Sequence, residues 1–238
     1  MLLSALYPSD ISGACQSVHR ARAGARASDY SFEPNAEKRE RVDIHLRNFV
    51  EPPWTAPLEL STLLRAIPDS AVISGMFIQP LAEHARKRGS PLPSARDRYV
   101  PFRFYPLREH AQLLIEMCEL HYKDVPTRQA LRKLGRAAPT ALVASTIGKV
   151  MLNSAVGVED MIRALVKTYP LNLRPGKLDV IEFGKNSAML RLEDIYYFLD
   201  SHHVGSFEGI MRFAGKEGHV RVCSYSSTAA DFLCTWKE

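Results

Sequence analysis

The sequence has no apolar run approaching the roughly 18 residues that a membrane span requires, so an inserted helix is excluded. It has no CxxC pair either. Its four cysteines, Cys15, Cys118, Cys223 and Cys234, are scattered along 238 residues and suit reduced thiols in a cytosol rather than a disulfide framework or zinc ribbon. No secretory leader is legible, because the short apolar stretch Met1 to Tyr7 runs straight into Pro8, Ser9 and Asp10. The expected location is therefore cytoplasmic.

Complete catalytic motifs are also missing. The segment GSFEG at 205–209 has the outline of a nucleophile elbow, but Phe207 stands where the nucleophilic serine belongs. GKNS supplies turn residues rather than a phosphate-binding loop. Glu193 and Asp194 are neighbours on a strand, which sends them to opposite faces and denies them a paired acid and base role. No catalytic residue is assigned, and the sequence favours a non-enzymatic domain.

What is present is ordinary globular composition, 46% hydrophobic and 24% charged, in a chain long enough to bury a substantial core. Residues 1–48 read as an extension: 8–41 are rich in Ala, Arg, Ser and Glu without a sustained apolar period. Its seven Lys/Arg are nearly cancelled by six Asp/Glu through residue 50, which argues against a basic arm for nucleic acid. Residues 49–238 read as a single α+β domain, with a helical part at 49–170 and a sheet part at 171–238.

Several helices are marked by period. Pro57 opens a short helix through Ala66, and Leu81, His84 and Ala85 continue a helical spacing that stops at Gly89. The proline-rich stretch at 90–106 reads as a loop. Leu107, Ala111, Leu114, Ile115, Cys118 and Tyr122 form one stripe of a 3.6-residue helix, and Val158, Met161, Ile162, Leu165, Val166 and Tyr169 form another before Pro170. Between them, Arg128, Arg132 and Arg136 at four-residue spacing predict a solvated face, and Pro139 predicts a new helix through Leu152.

The period then switches from 3.6 to 2. Leu178 to Phe183 and Ala188 to Glu193 predict a hairpin, a helix runs from about Ser206 to Gly215, and strands with Val220 and Val222, then Phe232, Cys234 and Trp236, follow. The expected fold is a helical N-terminal part packed on a four-stranded, mainly antiparallel sheet in β-β-α-β-β order.

Charge is concentrated at 84–108, where seven cations face Asp97 alone, a local excess of six. Arg86, Lys87 and Arg88 complement a helix C-terminus. Arg96, Arg98, Arg103 and Arg108 remain as candidate anion-binding residues, with nucleic-acid binding ranked last among the functions considered. His202 and His203 are adjacent, and extended backbone would point them apart, which suits a shared metal poorly. Cys118 and His121 lie one turn apart, but Cys118 belongs to the apolar stripe. No metal site is assigned.

The runs AVISGMFIQPL, YPLREHAQLLIEMC, RQALRKLGR, STIGKVML and the closing CTWKE resemble a myxobacterial paralogous family of unknown function over about residues 57–236. That family is in turn similar to the haem nitric-oxide-binding (H-NOX) domains and to small ligand-binding domains of the 4-vinyl-reductase type. The resemblance implies helices closing a pocket against the sheet. It does not carry the haem chemistry across: the axial histidine would lie on the helix MIRALVKTYPLN, which has none, and RLEDIYYFLDSHH lacks the Tyr-x-Ser-x-Arg propionate clamp. No cofactor is implied. The expected function is ligand binding or signalling, with a small apolar ligand in a pocket lined by Phe77, Leu114, Cys118, Tyr169, Tyr197 and Trp236. A protein partner or a homodimer in a scaffolding role is the alternative.

Overall fold

The computed structural model describes residues 48–144 and 157–238, without the side chains of 141–144. The chain divides into a unit at 1–50 and a unit at 51–238, and the elements below belong to the second. The expected extension at 8–41 and the segment STIGKVML lie outside the described residues. Among the described residues no helix is long and apolar enough to cross a membrane.

A short helix α1 (Leu60–Ala66) precedes strand β1 (Val72–Ser74), which runs directly into α2 (Gly75–Lys87) with the Ser74 side chain accepting from the Met76 N–H. Part of the expected proline-rich loop is a strand, β2 (Phe104–Pro106), antiparallel to β1. The long α3 (Leu107–His121) follows at once, then α4 (Thr127–Ala144) and α5 (Val158–Asn172). Strand β3 (Leu173–Arg174) completes a small antiparallel sheet in the order β2-β1-β3.

Two proline boundaries move. Pro139 lies inside α4 rather than at the start of a helix, and α5 runs past Pro170 to Asn172. At the second site the Asn172 side-chain amide donates to the Thr168 carbonyl at 2.8 Å, and the Leu173 N–H reaches the Tyr169 carbonyl. The last turn after Pro170 is thus closed by one backbone and one side-chain bond, and proline withdraws only its own N–H from the ladder.

The main sheet comprises β4 (Lys177–Gly184), β5 (Ser187–Glu193), β6 (Gly218–Ser224) and β7 (Ala230–Trp236), all antiparallel, in the order β4-β5-β7-β6. Its register aligns Leu190 with Phe232 and Phe232 with Val222, so large apolar residues share one face across three strands. Leu190, Leu192, Phe232 and Val220 are fully buried there, each contributing roughly 1.5–3 kcal/mol by removal from water. Helix α6 (Val204–Phe213) crosses between the two hairpins and sets Phe207 edge-on to Phe232, with ring centres 5.1 Å apart. The α+β class and the four-stranded antiparallel C-terminal sheet are as the sequence predicts.

The arginine stripe of α4 is not a solvated face. Arg132 and Arg136 both pair with Glu208 of α6, and Arg128 pairs with Asp200 just before it. Glu208 is 3% exposed, against 20% for Arg132 and 41% for Arg136, so the carboxylate is the deeply buried partner. Replacing Glu208 with leucine would strand two partly buried guanidinium groups. We expect a loss of about 3 kcal/mol, toward the lower end for breaking a buried pair because both arginines retain some water. Urea denaturation followed by circular dichroism measures it; an unchanged midpoint would mean that the arginines swing freely to solvent.

Candidate functional site: a buried histidine and tyrosine cluster

Three segments converge in the core with polar side chains that the fold itself does not need. On α3, His110 lies one turn before Leu114 and two before Cys118, which places an imidazole on the buried face. After β5 the chain takes left-handed backbone at Asp194 (φ 58°) and again at Phe198 (φ 43°), an uncommon conformation for a bulky residue. Phe198 leads into a single π-helical turn, Leu199–His203, closed by the His203 N–H on the Phe198 carbonyl at 3.2 Å. That wide turn buries Ser201, His202 and His203 together, so the two adjacent histidines do not point apart as an extended segment would have required.

Tyr197 is the hub. Its ring centre lies 4.8 Å from that of His203, 5.8 Å from His110 and 6.0 Å from His202. His110 and His202 are 6.4 Å apart, His202 and His203 5.7 Å. From α5, the Tyr169 hydroxyl reaches His203 Nε2 at 3.4 Å, while His203 Nδ1 faces the Phe198 carbonyl at 3.4 Å. A carbonyl only accepts, so Nδ1 carries the proton and Nε2 accepts from Tyr169. His203 is thus satisfied. His110 Nδ1, His202 Nδ1 and Ser201 Oγ are buried without a hydrogen-bond partner among the described residues. Such orphaned atoms are uncommon and cost about 1–3 kcal/mol apiece if nothing answers them.

The histidines are held neutral. Burial, reinforced by His203, brings His110 down to about 4, and burial brings His203 to about 4 against a smaller opposing pull from the Phe198 carbonyl. His202 is likewise held well below the ordinary histidine range by burial and by the other two imidazoles. Burial also raises the hydroxyls of Tyr169 and Tyr197 well above the ordinary tyrosine range. The cluster is therefore an uncharged set of hydrogen-bonding rings. No group of three His, Cys, Asp or Glu among the described residues is arranged to hold a metal ion.

Of the pocket residues expected from sequence, Tyr169 and Tyr197 meet in this cluster, and Leu114 and Cys118 are buried on the same helix as His110. Burial pushes the Cys118 thiol up to about 12, so it is a core side chain with no nucleophilic character at neutral pH. Phe77 on α2 and Trp236 at the end of β7 are half-buried against the core. The candidate anion-binding residues are mostly engaged within the fold. Arg96 forks onto Glu109 at 2.8 and 2.7 Å, Arg108 bonds Asp69 at 2.9 Å and the carbonyls of Leu64 and Ile67, and Arg103 lies over the Tyr105 ring. Arg98 is exposed. His110 escaped the sequence reading, although its position four residues before Leu114 on the apolar stripe was the available signal.

A family model described as a protein of unknown function, DUF2378, matches residues 67–237. The chain belongs to the DUF2378 family. No curated protein matches it. Among solved structures, this DUF2378 chain is similar in fold to an H-NOX protein from S. oneidensis in the Fe(II)NO ligation state, with a TM-score of 0.54 and 10% identity over 70% of this chain and 100% of that one. The unliganded Fe(II) H-NOX protein from K. algicida gives a TM-score of 0.51 and 17% identity over 70% and 97%. A structure concerned with haem distortion in the H-NOX family gives 0.52 and 14% over 70% and 96%. At these identities the likeness is one of fold.

The residues of the DUF2378 chain do not fit a haem in the manner its sequence resemblance would require. Helix α5, before the sheet, carries no histidine, and its Tyr169 is turned onto His203 instead. The three buried imidazoles are grouped around the Tyr197 ring and come from α3 and the 199–203 turn, not from α5.

Proposed function

We infer that this protein is a non-enzymatic, cytoplasmic ligand-binding or signalling domain that uses an H-NOX-like frame without haem ligation. The single domain at 49–238 carries the function, and its seat lies where α3, α5 and the 197–203 segment meet. The observation that supports this reading most directly is the set of orphaned polar atoms, His110 Nδ1, His202 Nδ1 and Ser201 Oγ, gathered beside apolar core side chains. A structural core has no use for unpaired imidazole nitrogens, whereas ligand sites combine apolar walls with a few convergent polar groups. The walls in this reading are Leu114, Cys118, Tyr169 and Tyr197, with Phe77 and Trp236 at the margins. The likeness to 4-vinyl-reductase-type ligand-binding domains is part of the same proposal.

The test is a thermal-shift and native mass-spectrometry screen of the full chain against haem, fatty acids and small aromatic compounds. A stoichiometric adduct with an aromatic or aliphatic compound, with a matching rise in Tm, is the expected result. A stoichiometric haem adduct whose Soret band disappears in a His202→Ala variant would overturn the non-haem reading.

A scaffolding role is favoured by one separate observation, the exposed large apolar residues Phe102 (73% exposed) and Leu171 (64% exposed). Light scattering after size exclusion separates the two: a tight dimer that binds no small molecule supports scaffolding.

A further inference from the structure

The cluster rests on the reading just given, and its chemistry narrows what the seat accepts. Two of its three buried imidazoles lack a partner at Nδ1, and they come from different elements, His110 from α3 and His202 from the π-helical turn. Their ring centres are 6.4 Å apart and the ring planes nearly perpendicular. Ser201 Oγ, unpartnered in the same turn, can both donate and accept. The surrounding surface is aromatic: Tyr197 touches all three histidines, and Phe198 lies 6.0 Å from Tyr197 in an edge-on arrangement.

We propose that His110, His202 and Ser201 form a binding site for a small uncharged hydroxyl compound of the phenol or alcohol class, whose oxygen bridges the two imidazoles. Charge excludes the alternatives. The cations bordering the turn are already committed, Arg128 to Asp200 and Arg132 and Arg136 to Glu208, so a carboxylate or phosphate would enter with no counter-ion. An ammonium compound would find neutral ring nitrogens and no free carboxylate among the partners of the cluster. A purely apolar molecule would leave three polar atoms unanswered, and a site built to hydrogen-bond a hydroxyl discriminates strongly against the analogue that lacks it. A hydroxyl donates once and accepts through the same oxygen, which matches one imidazole accepting at Nδ1, the other donating as its Nδ1–H tautomer, and a serine that can do either. The aromatic walls favour a phenol over a short alcohol. His203, tied to Tyr169 and Phe198, positions Tyr197 and does not touch the ligand.

The experiment is imidazole NMR on the full chain labelled with 15N-histidine at pH 7.5, titrated with phenol as the probe and with toluene, benzoate and zinc as comparisons. Phenol is expected to move the Nδ1 resonances of His110 and His202 saturably, to leave His203 nearly unmoved, and to bind at least ten-fold more tightly than toluene or benzoate. His202→Asn, which keeps a hydrogen-bonding group in the turn, should reduce that preference to about two-fold while the circular dichroism spectrum is retained. Where that variant fails to fold, the same readout in Ser201→Ala decides. Equal binding of phenol and toluene would overturn the hydroxyl assignment and leave a ligand pocket standing. A stoichiometric zinc shift on His110 and His202 would overturn it in favour of a metal. If no compound moves either resonance, the orphaned atoms are answered by water, and both this proposal and the ligand-binding reading fall.

Discussion

Alanine at Gly135 or at Gly205 should destabilise the fold by about 3 kcal/mol or more, the severe end of overpacking, because in both cases the added methyl group meets backbone rather than a side chain. A Cβ on Gly135 of α4 would strike the His202 carbonyl and crowd the Ser206 N–H, and one on Gly205 of α6 would strike the Arg132 carbonyl. Side chains can rotate away, whereas two helix backbones can yield only by moving apart as rigid rods. Separation would also lengthen the Arg132 and Arg136 contacts to Glu208, so the steric and ionic losses come together. Because the atom struck by Gly135→Ala is the carbonyl of His202, the variant should loosen the π-helical turn as well. Gly89→Ala is the control: the site has positive φ (72°) and open space, so only the left-handed backbone penalty of about 1–2 kcal/mol applies. Urea midpoints for the three variants measure the difference. Equal losses at all three positions would show that the crossing of α4 and α6 tolerates expansion.

That crossing explains both what the sequence disclosed and what it hid. The segment GSFEG could be rejected as a nucleophile elbow from Phe207 alone, yet its glycines have a positive role that appears only once the Arg132 and Arg136 carbonyls are seen against Gly205 and Gly209. The arginines at 128, 132 and 136 read as solvated because four-residue spacing marks a common face without saying what covers it. Here Asp200 and Glu208, more than seventy residues away, cover it. The sheet was legible because period-2 alternation is a local consequence of strand geometry. The helices on either side of it were legible through their apolar stripes for the same reason. Strands β1, β2 and β3 were not, since two or three residues carry too little alternation to register and their pairing joins segments about 30 to 100 residues apart. The candidate site was half visible: Tyr169 and Tyr197 stood out as aromatics on inner faces, and His202 and His203 as an adjacent pair. Their meeting with His110 depends on a π-helical turn begun by left-handed Phe198, a conformation that no local propensity of phenylalanine suggests.

Lowering the pH from 7.5 to 5 should cost about 4 kcal/mol of stability through His110 and His203 alone. Each is held at about 4 in the folded protein against an ordinary value near 6.5, so the unfolded chain takes up protons first as the pH falls. Stability from these groups is complete above about pH 6.5, declines as the unfolded chain protonates, and levels off below about pH 4, where the folded state is protonated too. Evaluated at pH 5 the linkage gives about 2 kcal/mol per histidine. His202 adds in the same direction, and so do the more exposed His84 and His121, both lowered by burial and by Arg88. Within the cluster the charges acting on His110 and His202 are those of the other histidines, so protonating one ring makes the next harder to protonate and broadens the decline. The carboxylates nearest the turn, Asp200 and Glu208, are already paired with Arg128, Arg132 and Arg136 and offer the new charge no free partner. Since ordinary domains have only about 5–15 kcal/mol in total, cooperative acid unfolding is expected above pH 4, with Tyr197 fluorescence reporting exposure of the cluster. Urea denaturation at half-unit steps between pH 5 and 7.5 gives the slope. His110→Phe should remove about one proton from it, and a wild-type midpoint that is flat over this range would mean that the imidazoles already reach water in the folded protein.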